Sequence, residues 1–360
     1  MTRLLIGLTG GLYTFDLDES GDPRPVLPGV KSMAFAMDPT EPARVYCATY
    51  NRGLWRSQDA GETWLPVGTP QGFFEGPIGG AIEPRETTFV SVDPVPQTDG
   101  QHAVWVGTEP SRSYRSTDHG DTFELTSALD LPSRTSWSFP PRPRTHHVQC
   151  IAHTSDGCMH LAIEAGAMIR SYDNGRTFKD RLSDSPVDTH VLLTHPLAPR
   201  RLYAALGDAL LRPGRSFAES HDGGDTWVYS GKGLEAAPYL YGLAIHPGNP
   251  EDIRVAASQS PQRAHVQGGS SIFRREADVW VEDAEGFPRD RSLIPVLATH
   301  ADQPGSLFAL SNLGVFSKEP TAKAWACLTA PEDWRGMHPT ALAVLNLQRT
   351  RRTRGTGTTS

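Results

Sequence analysis

Three polar pairs spaced two residues apart carry the chemistry that this chain offers: His147 with Gln149, Asp188 with His190, and Tyr239 with Tyr241. Residues two apart on a strand share a face, so each pair would present both groups to one side. Carboxylates follow at matching places, in Gly107-Thr108-Glu109, Ala162-Ile163-Glu164 and Leu206-Gly207-Asp208. Two imidazoles and a carboxylate form a donor set for a divalent ion, so His147, His190 and Glu164 are candidate ligands for Zn, Fe or Ca. The same groups form an acid/base set. Glu164, Glu109, His147 and His190 would move protons, with Tyr241 orienting the substrate. Gln149, Asp188 and Tyr239 would contact the substrate beside them. Arg142 and Arg144, from a proline-stiffened loop at 137–145, and Arg263, from a long loop at 258–270, are candidate partners for an anionic group. The competing reading is a solvated mouth in which every one of these groups is simply hydrogen-bonded.

Such a cluster needs a fold that gathers residues remote in sequence. The chain repeats an octad of pattern S-x-D-x-G-x-T-[W/F]. It runs from Ser57 to Trp64, from Ser116 to Phe123, from Ser171 to Phe178 and from Ser220 to Trp227. Each residue type suits a turn between two strands. The carboxylates of Asp59, Asp118, Asp173 and Asp222 can accept backbone N–H groups, which makes them structural. The fifth-position glycine tolerates positive φ, and the aromatic can bury between adjacent sheets. Short apolar strands precede every octad. The innermost strands are expected at 32–37, 87–92, 147–152, 190–194, 241–245, 295–299 and 340–345. Segments 4–8 and 11–15 have no inner strand before them, and 340–345 has nothing after it. The expected fold is therefore all-β, one seven-bladed propeller of four-stranded sheets over residues 1–347, with the C-terminal strand completing the N-terminal blade. The Arg/Thr-rich tail 348–360 has no apolar residue and is expected to be disordered.

The octads resemble the Asp-boxes of the bacterial neuraminidase repeat found in sialidase-like propellers. That resemblance implies a propeller fold with the aspartates on its rim, away from any reaction centre. It also implies a channel-mouth site for a small-molecule or carbohydrate ligand, worked on hydrolytically or with a metal. It does not extend to sialidase catalysis. An Arg-Ile-Pro-like motif is missing, Phe139-Pro140-Pro141-Arg142 is only a faint echo, and nothing requires Arg142, Arg144 and Arg263 to converge. Because similar boxes occur in receptors and assembly factors, a non-catalytic glycan- or protein-binding scaffold is the alternative.

Composition bounds these readings. The 360 residues carry a formal net charge of −7, which excludes a globally basic nucleic-acid binder. No apolar run is long enough to cross a bilayer as a helix, so neither nucleic acid nor membrane is an expected partner. Four cysteines do not make a disulfide framework, though a Cys150–Cys158 bridge is conceivable between neighbouring strands. The stretch from Leu4 to Leu8 is too short for a secretory h-region and is followed by Gly10-Gly11, so it reads as a strand and the expected compartment is the cytoplasm. A further loop at 71–85, with Phe73-Phe74, has the composition of a flap.

Overall fold

A computed structural model describes residues 1–19, 21–68, 80–127, 129–139, 141–142 and 144–347. The tail 348–360 and the Phe73-Phe74 part of the expected flap lie outside the described residues. Seven antiparallel sheets follow one another along the chain. The inner strands of the first six are Ser32–Met37, Thr87–Val92, Val148–His153, Thr189–His195, Tyr239–His246 and Val296–Thr299. They fall within one or two residues of the expected positions. The seventh sheet pairs Pro339–Asn346 with the N-terminal strand Thr2–Leu8, in register from Thr2 opposite Asn346 to Leu8 opposite Pro339. The two ends of the described chain thus close the ring, and a closed ring hides sheet edges that an open fan would expose.

One expectation needs correction. Six sheets have four strands, but the third has three, Val148–His153, Met159–Ile163 and Ala167–Ser171. Its outer strand is reduced to a single bridge between Arg170 and Lys179. There the chain turns instead into Asp180, which accepts the backbone N–H of Ser133 (2.8 Å) from the neighbouring blade.

The apolar side chains form separate clusters at the contacts between blades rather than one central core. Trp64 packs with Leu5, Leu12 and Val45 between the closing blade and the first. Phe123 joins Tyr46 and Val90 between the first and second, and Trp227 joins Cys150 and Leu202 between the third and fourth. Burying an aromatic of this size removes on the order of 150–250 Å² from water, which is why each octad ends in one. All four cysteines are free. Cys47, Cys150 and Cys158 are buried, and Cys327 is exposed, so the conceivable bridge is not formed.

The octads repeat one hydrogen-bond set. In the first, Thr63 donates its N–H (2.8 Å) and its hydroxyl (2.6 Å) to the Asp59 carboxylate, and the Gly61 N–H donates to Ser57 Oγ (2.8 Å). Asp173 and Asp222 accept the same bonds from Thr177 and Thr226. The fourth position is left-handed as well as the fifth, with φ of 58° at Ala60 and 56° at Asn174. Gly175 has φ +73°, and a Cβ there would lie 2.6 Å from the Trp105 ring. Gly175→Ala is expected to cost about 2–4 kcal/mol, combining left-handed strain with overpacking. Gly157, at φ +82° with open space around it, supplies the control. Gly157→Ala carries only the backbone component of about 1–2 kcal/mol. Denaturant midpoints that move equally for the two variants would contradict this.

The octad carboxylates also set an acid limit. Hydrogen bonds from Thr177 hold Asp173 at about 2. In Asp222, partial burial opposes the bonds from Thr226, yet the group still falls to about 2. Both values lie below the roughly 3.9 of an unfolded aspartate, so the stability they contribute is complete above about pH 4 and lost as pH falls toward 2. Thermal melts between pH 5 and 2 should show this fall, and it should be shallower in Asp173→Asn/Asp222→Asn. An unchanged slope would remove the octads from the acid response.

The histidines at strand exits are corner residues. His195 Nε2 donates to the His246 carbonyl of the next blade (3.1 Å), and His246 Nδ1 accepts the Gly248 N–H (3.0 Å). His300 Nδ1 accepts the Asp302 N–H (3.1 Å), and its Nε2 contacts Thr2 Oγ1 (3.1 Å). His153 lies 3.1 Å from Ser91 Oγ.

Candidate functional site

A shared backbone irregularity builds the opposite end of the ring. The pairing register slips once near the start of the inner strands, between Ser32 and Ala34, Thr87 and Phe89, Val148 and Cys150, Thr189 and Val191, and Leu240 and Gly242. The closing blade slips in the same place, opposite Pro339 and Ala341. A bulge leaves one residue unpaired and re-aims its side chain. The unpaired residues are Met33, Thr88, Gln149, His190, Tyr241 and Thr340. Two residues before each stand Lys31, Glu86, His147, Asp188, Tyr239 and His338. The three chemical pairs legible in the sequence are thus members of a ring in which every bulged blade contributes a pair.

Glu164 is the centre of the arrangement. One carboxylate oxygen lies 2.9 Å from His147 Nε2, and the other lies 3.8 Å from His190 Nε2. His190 Nε2 is also 3.5 Å from Asp188. The opposite ring nitrogen of His190 donates to the Leu240 carbonyl (2.6 Å), which fixes the ring and turns Nε2 toward the two carboxylates. Burial would lower the pKa of His190, but the charge and hydrogen bond of Asp188, with Glu164 behind them, prevail and raise it to about 9. Burial likewise pushes Asp188 up, while His190 and the Ala165 N–H (3.1 Å) bring it below the usual carboxylate range. His147 donates from Nε2 to Glu164 and to Gln149 Oε1 (2.9 Å). Its Nδ1 is buried without a hydrogen-bond partner, 3.9 Å from Glu109. Gln149 is anchored in turn by donating to the His190 carbonyl (3.0 Å).

Aromatic rings wall this centre. Tyr241 lies 4.6 Å and Tyr239 4.8 Å from the His190 ring, and Phe139 meets His147 edge-on at 4.9 Å. His265, on the turn Arg263–Gln267, bonds the Tyr239 hydroxyl (3.0 Å) and packs edge-on against Tyr241 (4.9 Å).

The remaining expected site residues divide. Arg142 reaches the mouth but is committed, gripping Glu109 through two hydrogen bonds of 3.0 and 2.6 Å. Glu109 is therefore an anchored ion-pair partner rather than a free proton donor. Arg144 and Arg263 are exposed. Asp208 turns inward to accept the N–H groups of Asp188 (2.7 Å) and Val187 (3.3 Å), a supporting role. His146 points away, as its neighbour's orientation requires, and packs edge-on against Trp137.

The donor atoms that approach one another as metal ligands would are those of Glu164, Asp188 and His190, all within 4.8 Å. Asp188 thus takes the place expected for His147, which instead bonds the far oxygen of Glu164. One nitrogen and two carboxylates suit Zn or Fe; Ca would want six to eight oxygens. The Nδ1–H bond to Leu240 is the outer-sphere support that metal-bound histidines require. Sequence reasoning missed Lys31, Tyr50 and His338, and placed His265 only on the long loop at 258–270. The ring position shared with His147 and Asp188 would have found Lys31 and His338, but that position is visible only once the bulges are.

No protein family and no curated protein sequence matches the chain. Solved structures do. The Niastella koreensis GH74 enzyme superposes with a TM-score of 0.62 at 16% identity, over 89% of this chain and 51% of that one. YCF48 from Cyanidioschyzon merolae gives 0.55 at 13% identity, over 83% and 86%. YCF48 bound to D1 peptide gives 0.53 at 12% identity, over 86% of each. The chain spans about half the length of the GH74 enzyme. At these identities the likeness is one of fold.

Proposed function

We propose that the chain is a hydrolytic enzyme acting at the channel mouth on a carbohydrate or similar hydroxyl-rich small molecule. A divalent transition metal would be held there by Glu164, Asp188 and His190. The observation that carries the reading is the buried Glu164 carboxylate shared between two imidazoles, one of them with a buried nitrogen that has no hydrogen-bond partner among the described residues. Several titratable groups buried around one carboxylate are what functional sites are built from. When bound, the metal would polarise a substrate oxygen or activate water. The chain's own groups do the rest. His147 Nδ1 accepts a proton from the ligand while its Nε2–H stays on Glu164. Tyr239 and Tyr241 stack beside the bound molecule, and Phe139 and Arg142 close one side. The fold shared with the GH74 enzyme is compatible with a glycan substrate.

The test is metal analysis of protein saturated with Zn or Fe(II), together with hydrolysis of chromogenic glycosides and lactones. One equivalent of metal, lost in Asp188→Asn, and turnover of at least one substrate are expected. Neither metal nor turnover would leave the binding-scaffold reading. That reading draws on the exposed apolar lip of the mouth, where Leu211 is 91% exposed and Val266 66%.

A further inference from the structure

Most cations at the mouth are already spoken for. Arg142 is bound to Glu109, and His190 faces Asp188 and Glu164. Lys31 is different. It is half-buried, and no carboxylate lies within 4.0 Å of it among the described residues. Its ammonium sits 4.8 Å from the centre of the Tyr50 ring, and the same ring carries the Arg142 guanidinium at 5.1 Å. Two cations thus share one aromatic ring, and among the described residues only Arg142 has a carboxylate in ion-pair contact.

The position of Lys31 is fixed. Its backbone N–H donates to Asn51 Oδ1 (3.0 Å), and its carbonyl accepts the Tyr50 N–H (2.9 Å). It occupies the ring position held by His147 and Asp188 in later blades. Burial, then the charge of Arg142, depress its pKa, and the opposing charges of Glu109 and Glu164, neither in ion-pair contact with it, do not offset them. Lys318, the other partly buried lysine, pairs with Asp283. An ammonium taken partly out of water with no carboxylate in direct contact is destabilising, and an arriving anion offsets that cost.

We infer that the hydroxyl-rich ligand of the mouth carries an anionic group, a carboxylate or a phosphate, and that Lys31 binds it. The inference rests on the reading of the mouth as a ligand site made above. The surrounding groups limit the class further. His265, lowered to about 4 by burial and by the charge of His190, is a neutral hydrogen-bonding wall. Burial and Lys31 also lower His338. Glu86 and Asp188 stand on the same ring, Glu164 lies beside Asp188, and their charges repel a polyanion. The ligand therefore has a single anionic end, set on Lys31, and an uncharged polar body extending toward Glu164.

Calorimetric titration at low ionic strength with D-glucuronate, D-glucose 6-phosphate and D-glucose tests this in the wild type, Lys31→Met and Lys31→Arg. At least one anion should bind about tenfold more tightly than glucose, as charge-assisted hydrogen bonds allow. Lys31→Met should erase that preference and leave glucose affinity unchanged, while Lys31→Arg keeps most of it. Preference for glucuronate identifies the carboxylate, and preference for glucose 6-phosphate the phosphate. Equal binding of all three sugars, no binding at millimolar concentration, or an undiminished preference in Lys31→Met overturns the inference. If Lys31→Met does not fold, competition by inorganic phosphate in the wild type replaces it, and absence of competition is the negative result. An anion preference that persists in a protein with no turnover removes the enzyme reading alone. Turnover of neutral glycosides with no anion preference removes this inference alone.

Discussion

Glu164→Gln should reduce turnover by a factor of about 10²–10⁴ on whichever substrate the wild type hydrolyses, the range typical for loss of a positioned acid/base group. The glutamine fills the same volume and keeps one acceptor oxygen for His147 at 2.9 Å. It cannot carry the charge that holds His190, nor serve as an anionic metal ligand. Metal content should fall in parallel. The far-UV circular dichroism should be unchanged, because the sheets are held by the apolar clusters between blades. A variant that keeps turnover within threefold of wild type would show that Glu164 is a structural partner of two histidines and nothing more. A loss of turnover with an altered spectrum would point to folding, and Glu164→Asp then separates the cases. It retains the charge and should recover part of the metal binding even where the shorter side chain cannot span both imidazoles.

Gly207→Ala should disable the centre without replacing any of its chemical groups. A Cβ at Gly207 would strike Asp188 Oδ2 and lie 2.8 Å from His190 Cε1. Asp188 has little room to give, since its other oxygen accepts the Ala165 N–H and its own N–H is held by Asp208. The aspartate must therefore rotate away from His190, or the 207–211 turn must shift. Either movement breaks the approach of Glu164, Asp188 and His190 to within 4.8 Å. Metal affinity should fall by about 10–100-fold, the usual cost of disturbing the groups that orient ligands. The preference for an anionic sugar over glucose should change much less, because the ring position of Lys31 lies on another blade. Titration of apo-protein with Zn, followed by displacement of a chromogenic chelator, measures the effect. Unaltered Zn affinity would mean that Asp188 is not a ligand.

The sequence by itself determined the ring. The octads specify where the chain reverses through local hydrogen bonds among Ser, Asp, Gly and Thr, and those bonds form wherever that order of residues occurs. The strand frame follows from short apolar runs, and the closure follows from an inner strand left over at one end and missing at the other. The candidate site was half legible. His147, Glu164, Asp188, His190, Tyr239 and Tyr241 were visible because each polar pair breaks an apolar strand pattern. Which of them meet was decided only by tertiary structure. The bulges displace side chains around the channel by an amount that residue spacing does not encode, so Asp188, not His147, joins Glu164 and His190. Glu109 and Arg142 are 33 positions apart, and their pairing depends on how a loop folds over the mouth. The isolation of Lys31 is likewise a property of space. A lysine in a sequence has no sign of whether a carboxylate will lie beside it, since charge pairing across blades links residues that the chain itself leaves remote.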